Sequence, residues 1–397
     1  MTPALRRQNL SLFGSQAFLG ERLRQAREAQ GLTATTLAER IGKSKQAVSR
    51  YENGVDRPSS EVILALAHAL DQPAQFFSLP LHSGQPQGVT FFRRLKRVTG
   101  PELRRAAVWR NWLEDLTLFL EEYVAFPEED LPQDFAFKTY HDLLDLALID
   151  DIALALRKHW RLGFGPIEHL IRTVERNGIL VSRFDVGADD IDAYSFRAAN
   201  GRGVVALNDY KVNYFRSRFD LAHELGHLVL HPSVTQEELD NAQTYERLEK
   251  QAHRFASALL LPAAPFLHDA RSTDLDALVL LKEKWGVSIG AILYRLLDLD
   301  VIERDDYERL RRTMTKRRWL KREPLDFSTD PEQTLALQQS LNALVNEAGF
   351  TKQDVVNDLV RSPETIRRLS NLPVDFFKTP DELDIEVRHR NLTLHSG

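Results

Sequence analysis

The segment His223-Glu224-Leu-Gly-His227 places two imidazoles four residues apart with a carboxylate between them. On a helix this spacing puts both histidines on one face, so that both rings can reach the same metal ion. Glu224 lies beside them, placed to accept a proton from water rather than to bind the ion. The neighbouring residues are strongly apolar, and buried histidines without a metal would need other polar partners. The pattern predicts a zinc site with Glu224 as general base, and ordinary core histidines are the alternative.

A catalytic zinc site takes three protein ligands and leaves one position open. His231 follows His227 by four residues, but groups at positions i, i+4 and i+8 span about 12 Å of helix and cannot all meet one ion. We therefore expect His231 either at the helix end or hydrogen-bonded to a ligand. Downstream, Glu249 shares a helical face with His253 and with small Ala252, which would allow a close approach to the first helix. Glu249 is the favoured third ligand and His253 a competing ligand or a partner of one, with a solvent-exposed glutamate as the alternative.

The elements that must position these residues are mainly helical. Residues 17–80 are predicted to form about five short helices, and residues 91–160 longer amphipathic ones. Short apolar runs between residues 179 and 208, bounded by Gly, Asn and Asp, predict two or three strands. The strands near 192–208 are expected to pair with an extended substrate, and either Tyr194 or His253 could donate to an oxyanion.

Residues 33–54 have the pattern of a helix-turn-helix. Thr33 can cap a first helix, Gly42 suits a turn that needs positive φ, and Ser44 can cap a second helix. A second helix with polar side chains at its N-terminal end is what reading of the major groove requires. The residues predicted to contact DNA are Ser44, Lys45, Gln46, Ser49 and Arg50.

Composition limits the chemistry. The chain has no cysteine, which excludes a thiol nucleophile, a disulfide scaffold and a cysteine-based metal site. Residues 1–110 contain 17 Lys+Arg against 8 Asp+Glu, a net +9, which leaves −14 on the rest of the chain. A basic N-terminal region suggests a local surface for a polyanion. No apolar segment is long enough to cross a membrane and no leader is apparent, so we predict a cytoplasmic protein that does not bind membranes.

Two family resemblances extend these predictions. Residues 18–80 resemble the XRE-type (lambda-repressor-like) helix-turn-helix domain, on Leu37-Ala38-Glu39-Arg40, Val48-Ser49-Arg50-Tyr51-Glu52-Asn53-Gly54 and Arg57-Pro58. Residues 145–310 resemble the ImmA/IrrE metallopeptidases, on the Ala222–His231 block, Glu249-x-x-Ala252, Leu260-Leu261-Pro262 and Trp285-Gly-Val-Ser288. The second resemblance implies a gluzincin-like core with Glu249 as the third ligand. It also implies cleavage of transcriptional repressors, often in stress response or mobile-element control.

We therefore predict a mainly α chain with a small α+β metallopeptidase core. The predicted domains are a five-helix DNA-binding domain at 1–80, a linker and helical connector at 81–144, a zinc metallopeptidase at 145–310 and a helical C-terminal module at 311–397. Within that module, residues 350–368 faintly resemble a second helix-turn-helix. The expected ion is Zn²⁺, with Mn²⁺ as an alternative.

The leading prediction of function is a DNA-binding metalloprotease that cleaves a repressor or similar regulatory protein. The alternatives are a transcriptional regulator whose peptidase-like domain senses metal or ligand without cleaving, and an antitoxin-like protein that represses its own transcription. Glu224 favours the enzyme, because a sensor needs no general base. The partners would be double-stranded DNA, a protein substrate and a second copy of the chain, since such domains usually bind paired half-sites as dimers.

Overall fold

The computed structural model of the protein describes residues 17–81, 90–92, 98–132, 145–188, 190–210 and 213–378. The chain divides into two compact units, of which the first comprises residues 1–85, 98–119 and 342–397 and the second comprises residues 86–97 and 120–341. The described residues are mostly helical with one small sheet, which confirms the predicted fold class. Residues 82–89, 93–97 and 133–144 of the predicted linker and helical connector at 81–144 lie outside the described residues. No described helix has the length and apolar character needed to cross a membrane.

The elements follow one another in chain order. The first half of the chain contains α1 (Gly20–Ala29), α2 (Ala34–Arg40), α3 (Lys45–Glu52), α4 (Ser60–Leu70), a 3₁₀ helix (Ala74–Ser78), β1 (Phe91–Phe92), α5 (Gly100–Glu121), α6 (Leu146–His159), α7 (Leu170–Arg176), β2 (Leu180–Phe184) and β3 (Ala193–Arg197). The second half contains β4 (Gly203–Asn208), α8 (Tyr214–Leu230), α9 (Gln236–Asp240), α10 (Ala242–Leu260), α11 (Ala263–Asp269), α12 (Leu275–Trp285), α13 (Ile289–Asp298), α14 (Arg304–Lys316), α15 (Ala336–Asn346), α16 (Lys352–Leu359) and α17 (Pro363–Ser370).

The N-terminal part of the first unit consists of α1 to α4 and the 3₁₀ helix, as the prediction of five short helices required. The Thr33 hydroxyl accepts a hydrogen bond from the Thr36 amide at 3.1 Å and begins α2. The Ser44 hydroxyl caps α3 in the same way, through the Ala47 amide at 3.1 Å. Gly42 has φ +64°, a left-handed conformation that glycine adopts without strain. Local capping and the turn thus fix the geometry between α2 and α3.

Helices α16 and α17 follow one another in the same unit and are joined by a short turn with Val360 in the left-handed conformation. Ile366 and Leu369 of α17 are buried, and Arg361 in the preceding turn is buried and pairs with Asp115 of α5 at 2.5 Å. The Gln72 amide donates to the Thr365 hydroxyl at 3.0 Å. The segment that faintly resembles a second helix-turn-helix therefore buries the apolar face of its second helix within the first unit.

The second unit contains a four-stranded sheet in the order β1-β3-β4-β2. Strands β2 and β4 are parallel, and β3 pairs antiparallel with both β4 and β1. Three of these strands lie in the range 179–208, where two or three were predicted. Strand β1 lies in a range predicted to be helical, and that prediction was wrong for Phe91 and Phe92. Two residues carry no periodic signal, and their pairing with Tyr194 and Ser195 is a contact between distant parts of the chain.

Helices α8 and α10 pack against each other beside this sheet. A Cβ on Gly226 of α8 would lie 3.2 Å from the Cα of Ala252 and 3.1 Å from the ring of Phe255. Ala252 and Ala256 are fully buried at this contact. Glycine on one helix and alanine on the other therefore allow the two backbones to approach closely, as the small residues predicted.

Candidate functional site

Three metal-binding side chains converge between α8 and α10. The Nε2 atoms of His223 and His227 lie 3.1 Å apart. Glu249 places one carboxylate oxygen 3.5 Å from His223 Nε2 and the other 3.3 Å from His227 Nε2. Among the described residues this is the cluster whose donor atoms could hold a metal, all of them within 4.8 Å of one another. Two imidazoles and one carboxylate form a donor set that zinc accepts with a fourth position open.

The surroundings of Glu249 favour its charged form. Both histidines are about 1% exposed, whereas the Glu249 side chain is 21% exposed. Burial by itself would raise the pKa of Glu249. Hydrogen bonding and positive charge from His223 and His227 outweigh burial and lower this pKa below its ordinary value. Glu249 is therefore a carboxylate near neutral pH, the form in which it can bind a cation.

Glu224 lies next to this cluster and is fully buried. The hydroxyl of Ser195 in β3 donates a hydrogen bond to Glu224 Oε2 at 2.7 Å. Sequence reasoning missed Ser195, because a single serine in a short strand belongs to no motif. This hydrogen bond orients the carboxylate predicted to be the general base.

His231 and Gln251 form a hydrogen-bonded chain behind the cluster. His231 ends α8, and its Nδ1 lies 3.0 Å from Nδ1 of His227. Its Nε2 lies 2.8 Å from Oε1 of Gln251 on α10. His231 is thus both at the helix end and a hydrogen-bonding partner of His227, the two positions that the sequence left open. Gln251 was not identified from the sequence.

His253 lies outside the donor cluster. Its ring centroid is 6.5 Å from that of His223, and its ring packs against Phe219 at 4.8 Å and Tyr294 at 4.5 Å. Of the two candidate third ligands, the structure brings Glu249 to the histidine pair and places His253 beside it in an aromatic environment.

Phe91 of β1 packs against His227, one of the two histidines of the cluster. Its ring stacks on His227 with centroids 4.3 Å apart and an interplanar angle of 14°. Strand β1 pairs with Tyr194 and Ser195, which restricts the outer edge of β3. In the order β1-β3-β4-β2 both β4 and β3 lie between two strands, and β1 pairs with β3 at Tyr194 and Ser195. Pairing of an extended substrate within 192–208 would therefore have to use the part of β3 beyond these two residues.

The five predicted DNA contacts lie together on the surface of the first unit. Ser44, Lys45, Gln46, Ser49 and Arg50 are all exposed. The Arg50 guanidinium donates to both carboxylate oxygens of Asp56, at 2.5 and 2.8 Å. Sequence reasoning missed Asp56, whose carboxylate orients the side chain of Arg50 on α3.

Two protein families match these two regions. Residues 23–77 match the helix-turn-helix family, and residues 174–297 match a peptidase family described as the IrrE N-terminal-like domain. The first range contains α3, and the second contains the histidine pair, Glu224 and Glu249. Both resemblances are thereby confirmed, and the second domain has a metallopeptidase-like fold. The helix-turn-helix match also supports DNA binding.

Similar proteins agree with the first of these matches. An uncharacterized transcriptional regulator in the ATPase CF(0) region of Rhodospirillum rubrum is 41% identical over 71 residues, which are 18% of this chain and 66% of that protein. An uncharacterized HTH-type transcriptional regulator of Sinorhizobium fredii is 42% identical over 62 residues, which are 15% of this chain and 43% of that protein. This chain therefore spans less than two thirds of either relative.

A solved structure of a Mycobacterium tuberculosis transcriptional regulator was also found. It is 19% identical, and the match covers 41% of this chain and 49% of that one with a TM-score of 0.30. The domain assignments therefore rest on the family matches.

Proposed function

We propose that this chain, which joins a helix-turn-helix domain to an IrrE N-terminal-like domain, is a DNA-binding zinc metalloendopeptidase. Its substrate is a transcriptional repressor or a similar regulatory protein, cleaved in response to stress or to a mobile-element signal. The observation that supports this proposal is the convergence of His223, His227 and Glu249 beside the buried carboxylate of Glu224. A metal-binding cluster needs no such carboxylate unless a proton must be moved.

The residues have separate roles in this proposal. When bound, zinc supplies a Lewis acid that polarises the peptide carbonyl and acidifies water. Glu224 accepts a proton from the attacking water and passes it to the leaving amine, while Ser195 holds the carboxylate in place. The hydrogen bond between His231 and His227 fixes the ring so that Nε2 of His227 faces Glu249.

The DNA-binding part of the proposal places α3 in the major groove. Gln46 and Lys45 would contact base edges, while Ser44, Ser49 and Arg50 would contact phosphates. The chain would act as a homodimer on paired half-sites. A role on DNA also places it in the compartment that holds DNA, in agreement with the predicted cytoplasmic location.

The test compares the wild type with Glu224→Gln. Both zinc-loaded proteins are incubated with a soluble proteome from the source organism, and new protein N-termini are identified by mass spectrometry. We expect wild-type-specific N-termini within a DNA-binding regulator, absent with the variant although its zinc content is unchanged. Identical N-termini from the two proteins at full zinc occupancy would contradict the protease.

A second candidate is a transcriptional regulator whose peptidase-like domain senses metal without cleaving. It is favoured by the similar proteins from R. rubrum and S. fredii, which are named as transcriptional regulators. The two candidates separate in cells that carry Glu224→Gln. Unchanged transcriptional output would favour the sensor, whereas loss of the response at normal protein level would favour the protease.

A further inference from the structure

A cleft of about 390 Å³ opens beside the metal centre in the second unit. His253 forms part of its wall, with its ring 6.5 Å from that of His223. The volume falls within the range of about 300–1,000 Å³ that is typical of ligand sites. Leu207, Phe219, Tyr294 and other residues give the wall apolar surface as well as polar groups. The cleft is thus large enough for a side chain next to the predicted reaction centre.

Arg183 of β2 lines this cleft and is 8% exposed. Its Nη2 donates to the Ser217 hydroxyl at 2.8 Å and to the Glu332 carbonyl at 3.3 Å. Its Nε and Nη1 are buried and have no hydrogen-bond partner within the described part of the chain. Leaving donors of a buried charged group without acceptors costs free energy. A ligand that brings an acceptor to these atoms would recover that cost.

The charged groups around Arg183 indicate the charge of a ligand that the cleft would accept. Arg311 of α14 also lines the cleft, is half-buried, and makes no ion pair with the described residues. Glu323 accepts hydrogen bonds from Lys282 at 2.9 Å and from the Ile289 amide at 2.8 Å, and Lys282 also pairs with Asp326. Asp192 and Asp220 line the cleft too and would repel a multiply charged anion. Arg216 lines the cleft as well, and the charges of Glu332, Asp220 and Asp209 act on Arg183. Three guanidinium groups among several carboxylates suit a single negative charge better than a phosphate dianion.

We infer that this cleft is a carboxylate-binding subsite that takes an acidic side chain of the peptide substrate, with Arg183 as the main contact and Arg311 as the second. Selection of the substrate by this subsite rests on the proposed protease function. Binding of a carboxylate does not, and the test therefore measures binding. Absence of cleavage together with carboxylate binding would refute the protease and leave the subsite standing.

The test uses the zinc-loaded full chain and two probes, N-acetyl-glutamate methylamide and its uncharged glutamine counterpart. The two have nearly the same shape and differ in charge, so calorimetric Kd values report on recognition of the carboxylate. We expect the glutamate probe to bind at least about tenfold more tightly, because hydrogen bonds to charged groups are the stronger ones. In Arg183→Gln the preference should fall to about threefold, the part that Arg311 provides.

Two further variants keep the test decisive. Arg311→Gln should weaken binding of the glutamate probe by about threefold or more, and it serves as the main variant if Arg183→Gln does not fold. Arg304→Gln changes an arginine on the same helix that is 70% exposed and does not line the cleft, and it should bind like the wild type. Zinc content and the melting temperature verify that each variant is folded.

Three outcomes would overturn the inference. They are equal binding of the two probes by the wild type, an unchanged preference in both cleft variants, and tighter binding of inorganic phosphate than of butyrate. Butyrate, a free acid with one carboxylate, distinguishes the source of the carboxylate. If butyrate binds more tightly than the peptide probe, the ligand is a free acid and the role in substrate selection is refuted.

Discussion

The helix-turn-helix region and the candidate metal centre place their candidate functional residues in opposite ways. The five candidate DNA contacts lie in one short segment, Ser44 to Arg50, and all are exposed. The candidate metal cluster draws His223 and His227 from α8 and Glu249 from α10, with both histidines buried. The first arrangement needs one helix and its cap, whereas the second needs two helices packed at a set distance.

This difference predicts how each region tolerates change. An exposed polar residue on a capped helix can be replaced with little effect on folding, since it buries no surface. A buried donor is held by packing and by hydrogen bonds, so its replacement affects stability and metal binding together. The following variants test that contrast, from the largest expected effect to the smallest.

Loss of a metal ligand should have the largest effect. In Glu249→Ala we expect zinc affinity to fall by more than about 100-fold, beyond the roughly 10–100-fold typical of losing a residue that only supports a ligand. Competition with a chromophoric chelator measures the change. Glu246→Ala is the matched control, because its side chain is on the same helix and 71% exposed. DNA affinity should be unchanged, and zinc retained without Glu249 would show that the cluster is not the binding site.

Glu175, a buried residue of α7 in the second unit, should make the free energy of unfolding depend on pH. Burial raises its pKa from 4.5 to about 7, although the Leu335 and Ala336 amides oppose this by donating to the carboxylate. The folded state therefore holds a proton that the unfolded state has released. The stability from this group is complete below pH 4.5 and is lost as the pH rises to about 7.

The size of this effect is about 3 kcal/mol in the free energy of unfolding, at about 1.36 kcal/mol per pKa unit. Urea unfolding at pH 4.5 and 7.5 should show that Glu175→Gln loses less stability over this interval than the wild type does. The exposed Glu168→Gln is the control. An equal pH slope in the wild type and Glu175→Gln would contradict the raised pKa.

A substitution that pushes α8 away from α10 should have an intermediate effect on stability and on zinc affinity. In Gly226→Val the added atoms would meet the Ala252 backbone and the Phe255 ring, and overpacking of this kind costs about 1–3 kcal/mol. Thermal unfolding measures the loss, and zinc affinity should fall as Glu249 moves away. Gly165→Val is the control, because nothing lies within 4 Å of a Cβ at that position. Equal destabilisation by both substitutions would show that helix contact is not the cause.

The smallest effect should come from the exposed region. Gln46→Ala should weaken binding to a DNA sequence selected by the wild type by about tenfold, or about 1.4 kcal/mol. The free energy of unfolding should change by less than about 0.5 kcal/mol, because Gln46 is exposed. Fluorescence anisotropy measures the affinity, with the exposed Glu61→Ala as control. A change in stability larger than the change in DNA affinity would remove the contrast between the regions.

The sequence by itself determined what depends on neighbours along the chain. Thr33, Gly42 and Ser44 predicted the turn and caps, because capping is a contact between residues three positions apart. The spacing of His223 and His227 predicted a shared face for the same reason. Glu249 was favoured by its helical face and by the family resemblance, and the structure brings it within 3.5 Å of both histidines.

Only the tertiary structure decided which distant residues complete the site. Ser195 meets Glu224, Gln251 meets His231, and Phe91 stacks on His227, and sequence reasoning identified none of these three residues. Arg183 of β2 likewise reaches the cleft only through tertiary structure, which brings it within 2.8 Å of the Ser217 hydroxyl of α8. Such contacts depend on how helices and strands pack after they form, and packing joins residues whose separation along the chain carries no periodic signal.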